Sequence, residues 1–485
     1  MPPAHSIAPA PSEARPAGAA RRFRIGIALV GKGATNHLHR RGVVTALEAQ
    51  GADVCFLVRE DYWTLIERLP DVRYEPIRFV PERGLRGALR RFCRGIRYLY
   101  PARDIGRRTR FRQRLATQPL PWRLFNRVLR LPACSRLGMR ALIALERGLY
   151  PPAELVDLAP GSIDQLLLLG MGAHATAEDG TLTWWARHHG IPVVHMVGNY
   201  DNLSSQGFRG VPVERLLVWG PSMRADATQL QGIAPERVTE IGSIRYDSIA
   251  RSTLRSREDF FADCGFDPAR KTILFAGAMM EFHYFEMLQI FEQLRQQDDR
   301  YQLILRLRPN KTLLNSPYMG PLLHYARTQP HIYASIGDPH YRSGARDREV
   351  LHIEEEELWN AIAHSDVVVN IFSTMSLEAC IFDKPAINMW YFPPTDAGMI
   401  RGPEYIDFPL SFHTRRLLSY GAIPVARSRE ELTRCIQRAI AEPAQHQPQR
   451  REVLKHECGV LDGQAAERLA SFCARSHAEC AARRC

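Results

Sequence analysis

The sequence predicts an α/β fold made of two doubly wound halves. Short apolar runs rich in β-branched residues alternate with helical patterns along most of the chain. The alternation comes as two series, one opening at Arg24 and one at Lys271. The length of 485 residues is what two or three domains of about 150 residues would need.

The first series opens on RIGIALV (Arg24 to Val30), ends in Gly31-Lys32-Gly33, and continues as a helical pattern over 36–50. ADVCFLV, beginning at Ala52, is the second strand. A glycine turn after a first strand points backbone amides into the crevice at the sheet's C-terminal edge, which makes Gly33 a candidate ligand contact. GKG lacks the spacing of a P-loop or a full dinucleotide fingerprint. The alternation resumes with IDQLLLLG, the helix LTWWARHHG, IPVVHMVG, the loop NYDNLSSQG, RLLVWG with a helix to about residue 231, and RVTEIGSIRYDSI as strand then loop. In the second series TILFAG, LILRLRPN, VVVNIFST, PAINMW and IPVA are the strands. Helical patterns lie between them near 284–297, 312–328, 355–364, 374–382 and 429–442, and a last helix covers about 464–478. The expected division is a disordered Ala/Pro-rich tail over 1–22, a first domain over 23–252, and a second over 253–485 that includes the last helix.

Composition excludes several classes. No apolar run approaches the roughly 18 residues of a membrane-spanning helix. The first twenty residues lack the compact apolar core of a secretory signal. Ten cysteines are scattered from Cys55 to Cys485 without CxxC or zinc spacing, which favours a reducing cytoplasm and no metal. The net charge of +12 favours anionic partners: nucleotides, acidic lipid surfaces or nucleic acid.

Residues 83–147 stand apart. Arginine recurs throughout, the only acids are Asp104 and Glu146, and Phe92, Ile96, Phe111, Trp122 and Leu129 are interleaved. This pattern suits basic amphipathic helices, an insert in the first domain that lies on an anionic membrane surface or presents a solvated basic face. No nucleic-acid motif accompanies the charge, so no nucleic-acid partner is expected.

Three stretches carry a resemblance. LLVWGPSMRADATQLQGIAPERVTEIGSIRYDSI resembles the interdomain passage of nucleotide-sugar glycosyltransferases of the GT-B fold, two Rossmann-like domains facing a cleft. ELWNAIAHSDVVVNIFSTMSLEACIFDKPAINMW resembles their donor-site signature. HMVGNYDNLSSQG and the closing DGQAAERLASF resemble bacterial surface-polysaccharide transferases related to CDP-glycerol glycerophosphotransferases. The resemblance spans most of 24–475 apart from the arginine-rich insert.

The residues fit that chemistry. Ser373 and Thr374 stand where a strand gives way to a helix, where free amides and hydroxyls suit a diphosphate. Glu378 lies one turn on, on the side of Thr374. The resemblance makes it the acceptor of the ribose hydroxyls, whereas a first-turn Glu beside a Ser/Thr cap is the plain alternative. Arg306 and Arg308 share one face of a strand end and can clamp a diphosphate, or form ion pairs. Gly277 ends the first strand of the second series and allows close approach of backbone to phosphates. His283 is either an assistant or an exposed group. For a base that deprotonates an acceptor hydroxyl, the candidates are Asp201 in the NYDN loop, His174 in GMGAHATAED and His37 past the glycine turn. Asp201 has a cap as its alternative role, and the histidines a plain surface one.

The function implied is transfer of a sugar, or of a glycerol- or ribitol-phosphate-like group. The donor is nucleotide-activated and the acceptor a surface glycan or its lipid-linked precursor. No cofactor beyond that donor and no metal are expected, and the implied location is the cytoplasm, at the inner face of the membrane. Two rivals stand beside it: a hydrolysing UDP-N-acetylglucosamine 2-epimerase on the same fold, and a non-catalytic membrane-surface binding protein.

Overall fold

A computed structural model describes residues 23–30, 42–60, 63, 72–80, 83–97, 119–121, 124, 136–149, 156–168, 177–205, 212–277, 281–307, 311–336, 355–391 and 411–482. Strands β1 (Phe23–Leu29), β2 (Ala52–Arg59), β3 (Arg73–Phe79), β4 (Val156–Asp157), β5 (Gln165–Leu168), β6 (Val193–Met196), β7 (Arg215–Val218) and β8 (Val238–Glu240) build the first sheet. Their order is β4-β3-β2-β1-β5-β6-β7-β8, all parallel except β4, which runs antiparallel to β3. Strands β9 (Lys271–Ala276), β10 (Tyr301–Arg306), β11 (Ile332–Ser335), β12 (Val367–Asn370), β13 (Ala386–Met389) and β14 (Val425–Ala426) build the second. Their order is β11-β10-β9-β12-β13-β14, and all are parallel.

Both sheets step outward from their first strand in one direction and then return past it in the other. This is the doubly wound order, with a switch point between β1 and β5 in one sheet and between β9 and β12 in the other. Parallel central strands are covered on both faces, which is why β1, β9 and β12 read as unbroken apolar runs. The strands missed by sequence reading are the marginal ones. β3 carries Pro76 and buries little beyond Ile77, while β4 and β11 are short edge strands. RYDSI is helical rather than looped, since Ile244–Arg251 forms a helix.

Four apolar clusters hold the two sheets. One of them joins the halves: Val197, Tyr200, Trp219 and Met223 of the first pack with Leu274, Ile304, Trp359 and Val368 of the second. The chain crosses between the halves twice, outward after β8 and back through 454–464. These links are fastened to each other. On the outward link Gly242, at φ 83°, comes so close to the return link that a Cβ there would lie 2.6 Å from the Val460 carbonyl oxygen. Arg251 Nε donates to the Gly463 carbonyl at 2.9 Å.

The last helix, Ala465–Ala482, follows the second series in sequence but packs on the first sheet. Ala465, Ala466, Leu469 and Cys473 share a core with Ile25, Ile27, Val43 and Leu47. Asp247 on the outward link accepts the amides of Ala465 and Ala466 at 3.1 and 2.9 Å, which caps the helix. The helix therefore completes the first half, not the second half in which 253–485 had placed it.

Within 83–147, two helices are described, Gly84–Arg97 and Arg136–Gly148, joined by a small contact of Ile96 and Met139 with Leu142 and Ile143. Leu85, Leu120, Leu124, Leu137 and Leu145 are each more than half exposed. Arg90, by contrast, is buried. No described helix is long and apolar enough to cross a membrane. The eight described cysteines are free thiols.

Candidate functional site

Open α/β sheets bind ligands outside the carboxyl ends of their strands at the switch point. In the second sheet that places Gly277, after β9, beside the turn 371–374, after β12. Asn370 shapes this turn. Its Oδ1 accepts from the Ser373 amide at 3.1 Å and the Ser373 hydroxyl at 3.3 Å. Phe372 is driven to φ 45°, a region costly for a residue with a Cβ, and is held there by its amide donating to Asn388 Oδ1 at 2.8 Å. Ser373 Oγ accepts the Met375 amide at 3.2 Å, so its hydroxyl also serves the start of the helix Met375–Ile381. Thr374 takes the N-cap position of that helix without a side-chain cap bond.

Glu378 lies in the same helix and is fully buried. Its Oε1 is 2.6 Å from Nη2 of Arg245, which reaches it from the outward link. No carboxylate oxygen of Glu378 has a directed hydrogen bond among the described residues. Arg245 had not been singled out by sequence reading, although it lies in the quoted IGSIRYD stretch.

Arg306 is buried at the end of β10. Its Nη1 is 3.0 Å from Glu357 Oε2 and also donates to Ser335 Oγ. Tyr333 donates to the other Glu357 oxygen at 3.3 Å. Arg306 thus ties β11 and the helix Glu355–His364 to β10, the ion-pair alternative in a buried form. Gly277 is required by packing: a Cβ there would lie 2.3 Å from Cζ of the buried Tyr284. Just beyond, Glu281 and His283 are buried, so His283 is not the exposed group that was the alternative for it. Burial pushes the His283 imidazole down to about 3.

On the first half, Asp201 stands just before the short helix Asn202–Ser205. Its carboxylate accepts from Ser205 Oγ at 2.9 Å and Asn202 Nδ2 at 3.2 Å. The same turn meets the second half at His413, whose Nδ1 is 3.2 Å from Ser204 Oγ and whose ring stands edge-on to Tyr200 at 5.5 Å. Burial lowers the pKa of His413, and the Asp201 charge partly offsets this. Beside it, Arg416 bridges two buried carboxylates, Asp226 at 2.7 and 2.8 Å and Glu457 at 2.7 and 2.9 Å. Burial raises the pKa of Asp226 despite that partner.

Comparison with known proteins follows the same geometry. No protein-family profile and no curated sequence matches the chain. Solved structures do. The Staphylococcus aureus MnaA–UDP co-structure is similar with a TM-score of 0.50 and 12% identity, over 94% of this chain and 96% of that one. The Neisseria meningitidis UDP-GlcNAc 2-epimerase bound to UDP-GlcNAc is similar with a TM-score of 0.50 and 11% identity, over 93% and 100%. The wall teichoic acid polymerase TagF gives a TM-score of 0.49 and 9% identity, over 94% and 89%.

The fold is GT-B.

Within this GT-B frame, the structure brings Gly277, Ser373, Thr374 and Glu378 to one strand-end region, with Arg306 turned into a neighbouring ion pair. Asp201 stands at the junction of the halves. His37, His174, Gly33 and Arg308 lie outside the described residues. Sequence reading missed Arg245 and His413, since a lone Arg in a link and a lone His in the first turn of a helix carry no spacing signal. Among the described residues, no group of His, Cys, Asp and Glu is placed to hold a metal ion.

Proposed function

We propose that the protein is a GT-B transferase. It moves a sugar, or a polyol-phosphate group, from a nucleotide-activated donor to a surface glycan or lipid-linked acceptor. The observation that carries this reading is the turn 371–374 at the second sheet's switch point, with Glu378 buried one helical turn beyond it. The donor nucleotide binds the second half, and the acceptor binds the first. Asp201, or one of His37 and His174, takes the proton of the acceptor hydroxyl as the nucleotide leaves. Cationic side chains offset the charge that develops on the departing diphosphate. The protein works in the cytoplasm at the membrane's inner face, with no metal in the reaction.

One observation favours the epimerase as a second reading. Glu281 and His283 bury a carboxylate and an imidazole just after β9, groups that proton transfer on a sugar would use. MnaA was solved with UDP and the meningococcal enzyme with UDP-GlcNAc, which makes uridine nucleotides the first donors to try. The deciding experiment incubates the purified protein with UDP-GlcNAc or CDP-glycerol, with and without a lipid-linked glycan acceptor. Acceptor-dependent product supports the transferase, and acceptor-independent conversion to the 2-epimer supports the rival. Absence of both, with nucleotide still bound, rejects both reactions.

A further inference from the structure

The outward link concentrates buried polar groups that lack partners. Ser243 and Tyr246 are buried, and neither hydroxyl has a hydrogen-bond partner among the described residues. Arg245, between them, lacks one at Nε. Glu378, to which the link is tied at 2.6 Å, has no directed hydrogen bond at either oxygen. Buried polar groups are bonded in the great majority of cases, so two unpartnered hydroxyls beside one incompletely bonded ion pair call for an explanation outside packing.

The chemistry of the group narrows what would satisfy it. A guanidinium carries five donors and accepts nothing, while a carboxylate only accepts. Side by side, they match a ligand that presents anionic oxygens next to hydroxyl donors. A bare anion would be repelled by Glu378, and a bare polyol would leave the positive charge of Arg245 matched only by Glu378. A ribose bearing a diphosphate presents both sets on one molecule. Of the two cations that the sequence offered for the phosphates, Arg306 is already engaged with Glu357 and Ser335, and Arg308 lies outside the described residues.

We propose that Arg245 is the phosphate-binding cation of the nucleotide site, with Glu378 beside it taking the ribose hydroxyls. The inference rests on the nucleotide reading above and extends it to a residue of the interdomain link. Because Arg245 belongs to the link and Glu378 to the second half, the nucleotide would touch the segment about which the halves are joined. Planar, forked donors suit a diphosphate better than a point charge does, so lysine should replace Arg245 only in part.

The test uses the full chain and two pairs of probes, uridine with UDP and cytidine with CDP, measured by calorimetric titration. In Arg245→Gln the nucleoside affinity should stay within about threefold of wild type, while the diphosphate affinity falls by ten- to a hundredfold, as loss of a charge-assisted contact predicts. Arg245→Lys should lie between. Glu378→Gln should weaken nucleoside and diphosphate alike. Equal losses of nucleoside and diphosphate in folded Arg245→Gln would overturn the assignment, and so would full retention of diphosphate binding. If Arg245→Gln fails to fold, Arg245→Lys decides: diphosphate binding equal to wild type overturns the proposal, and a selective loss supports it. If the wild-type protein binds neither pair, the nucleotide reading itself is wrong and this inference falls with it.

Discussion

Arg416 reaches from the second half of the molecule to Asp226 in the first, touching both carboxylate oxygens at 2.7 and 2.8 Å. Glu457 on the return link takes the other side of the same guanidinium. Removing the one cation would strand two buried carboxylates. Arg416→Ala should therefore cost roughly 3–5 kcal/mol, read as a shift in the denaturant midpoint. A loss below about 1 kcal/mol, the worth of an exposed pair, would mean that water already reaches the network.

Gly459 offers a cleaner test of the junction. An alanine there meets the Trp219 carbonyl oxygen and must also hold a left-handed backbone. Gly232 has nearly the same φ, 69°, with nothing within 4 Å of the added carbon. Gly232→Ala should cost about 1–2 kcal/mol from backbone conformation alone. Gly459→Ala should cost clearly more, and equal melting temperatures for the two variants would contradict the close approach of the return link to Trp219.

Acid should weaken the fold. His195 is buried in β6, and its Nε2 is 3.2 Å from Thr183 Oγ1, whose own proton goes to the Asp179 carbonyl. The ring must then donate through Nε2, which fixes the neutral tautomer. Burial pushes this imidazole down to about 4, and that of His283 to about 3. The unfolded chain takes up these protons near pH 6.5 and the folded one does not, so stability is lost as pH falls below that value. Melting temperature should drop by several degrees between pH 7 and pH 5, and His195→Gln should flatten the drop. A profile unchanged in that variant would show that other groups dominate.

The arginine-rich insert predicts reversible attachment to anionic vesicles. Leu85 and Leu137 are exposed, and so are Arg83, Arg86 and Arg91. Each basic residue near such a surface is worth on the order of 1 kcal/mol. Replacing Arg83, Arg86 and Arg91 by Gln should reduce co-sedimentation with phosphatidylserine vesicles, and added salt should do the same to the parent protein. Arg90 is left out because it is buried. A parent protein that ignores anionic vesicles at low salt would leave the insert as a solvated or acceptor-binding face.

Much of this architecture was legible, and the reasons are local. β1, β9 and β12 are covered on both faces, so their apolar runs announce themselves. Ser373, Thr374 and Glu378 stood out because a strand, a hydroxyl turn and a helical acid follow one another in sequence. Arg245 did not, because its partner is more than a hundred residues away and only the fold supplies it. Arg306 was read for its charge and strand position, but its partner Glu357 approaches from a separate helix that only the fold brings near. The last helix misled for a similar reason: its apolar stripe shows that it packs, not on which sheet.

The paired links have a mechanical consequence. Two bodies joined by one flexible strand can swivel freely, but two strands laid side by side and interlocked act as a door hinge. Twisting about the long axis would have to pull Gly242 away from Val460 and the Asp247 carboxylate away from the amides of Ala465 and Ala466. The shared apolar cluster and the Arg416–Asp226 pair hold the halves together beside the joint. The alignment of reacting groups is thus written into the joint rather than searched for at each encounter.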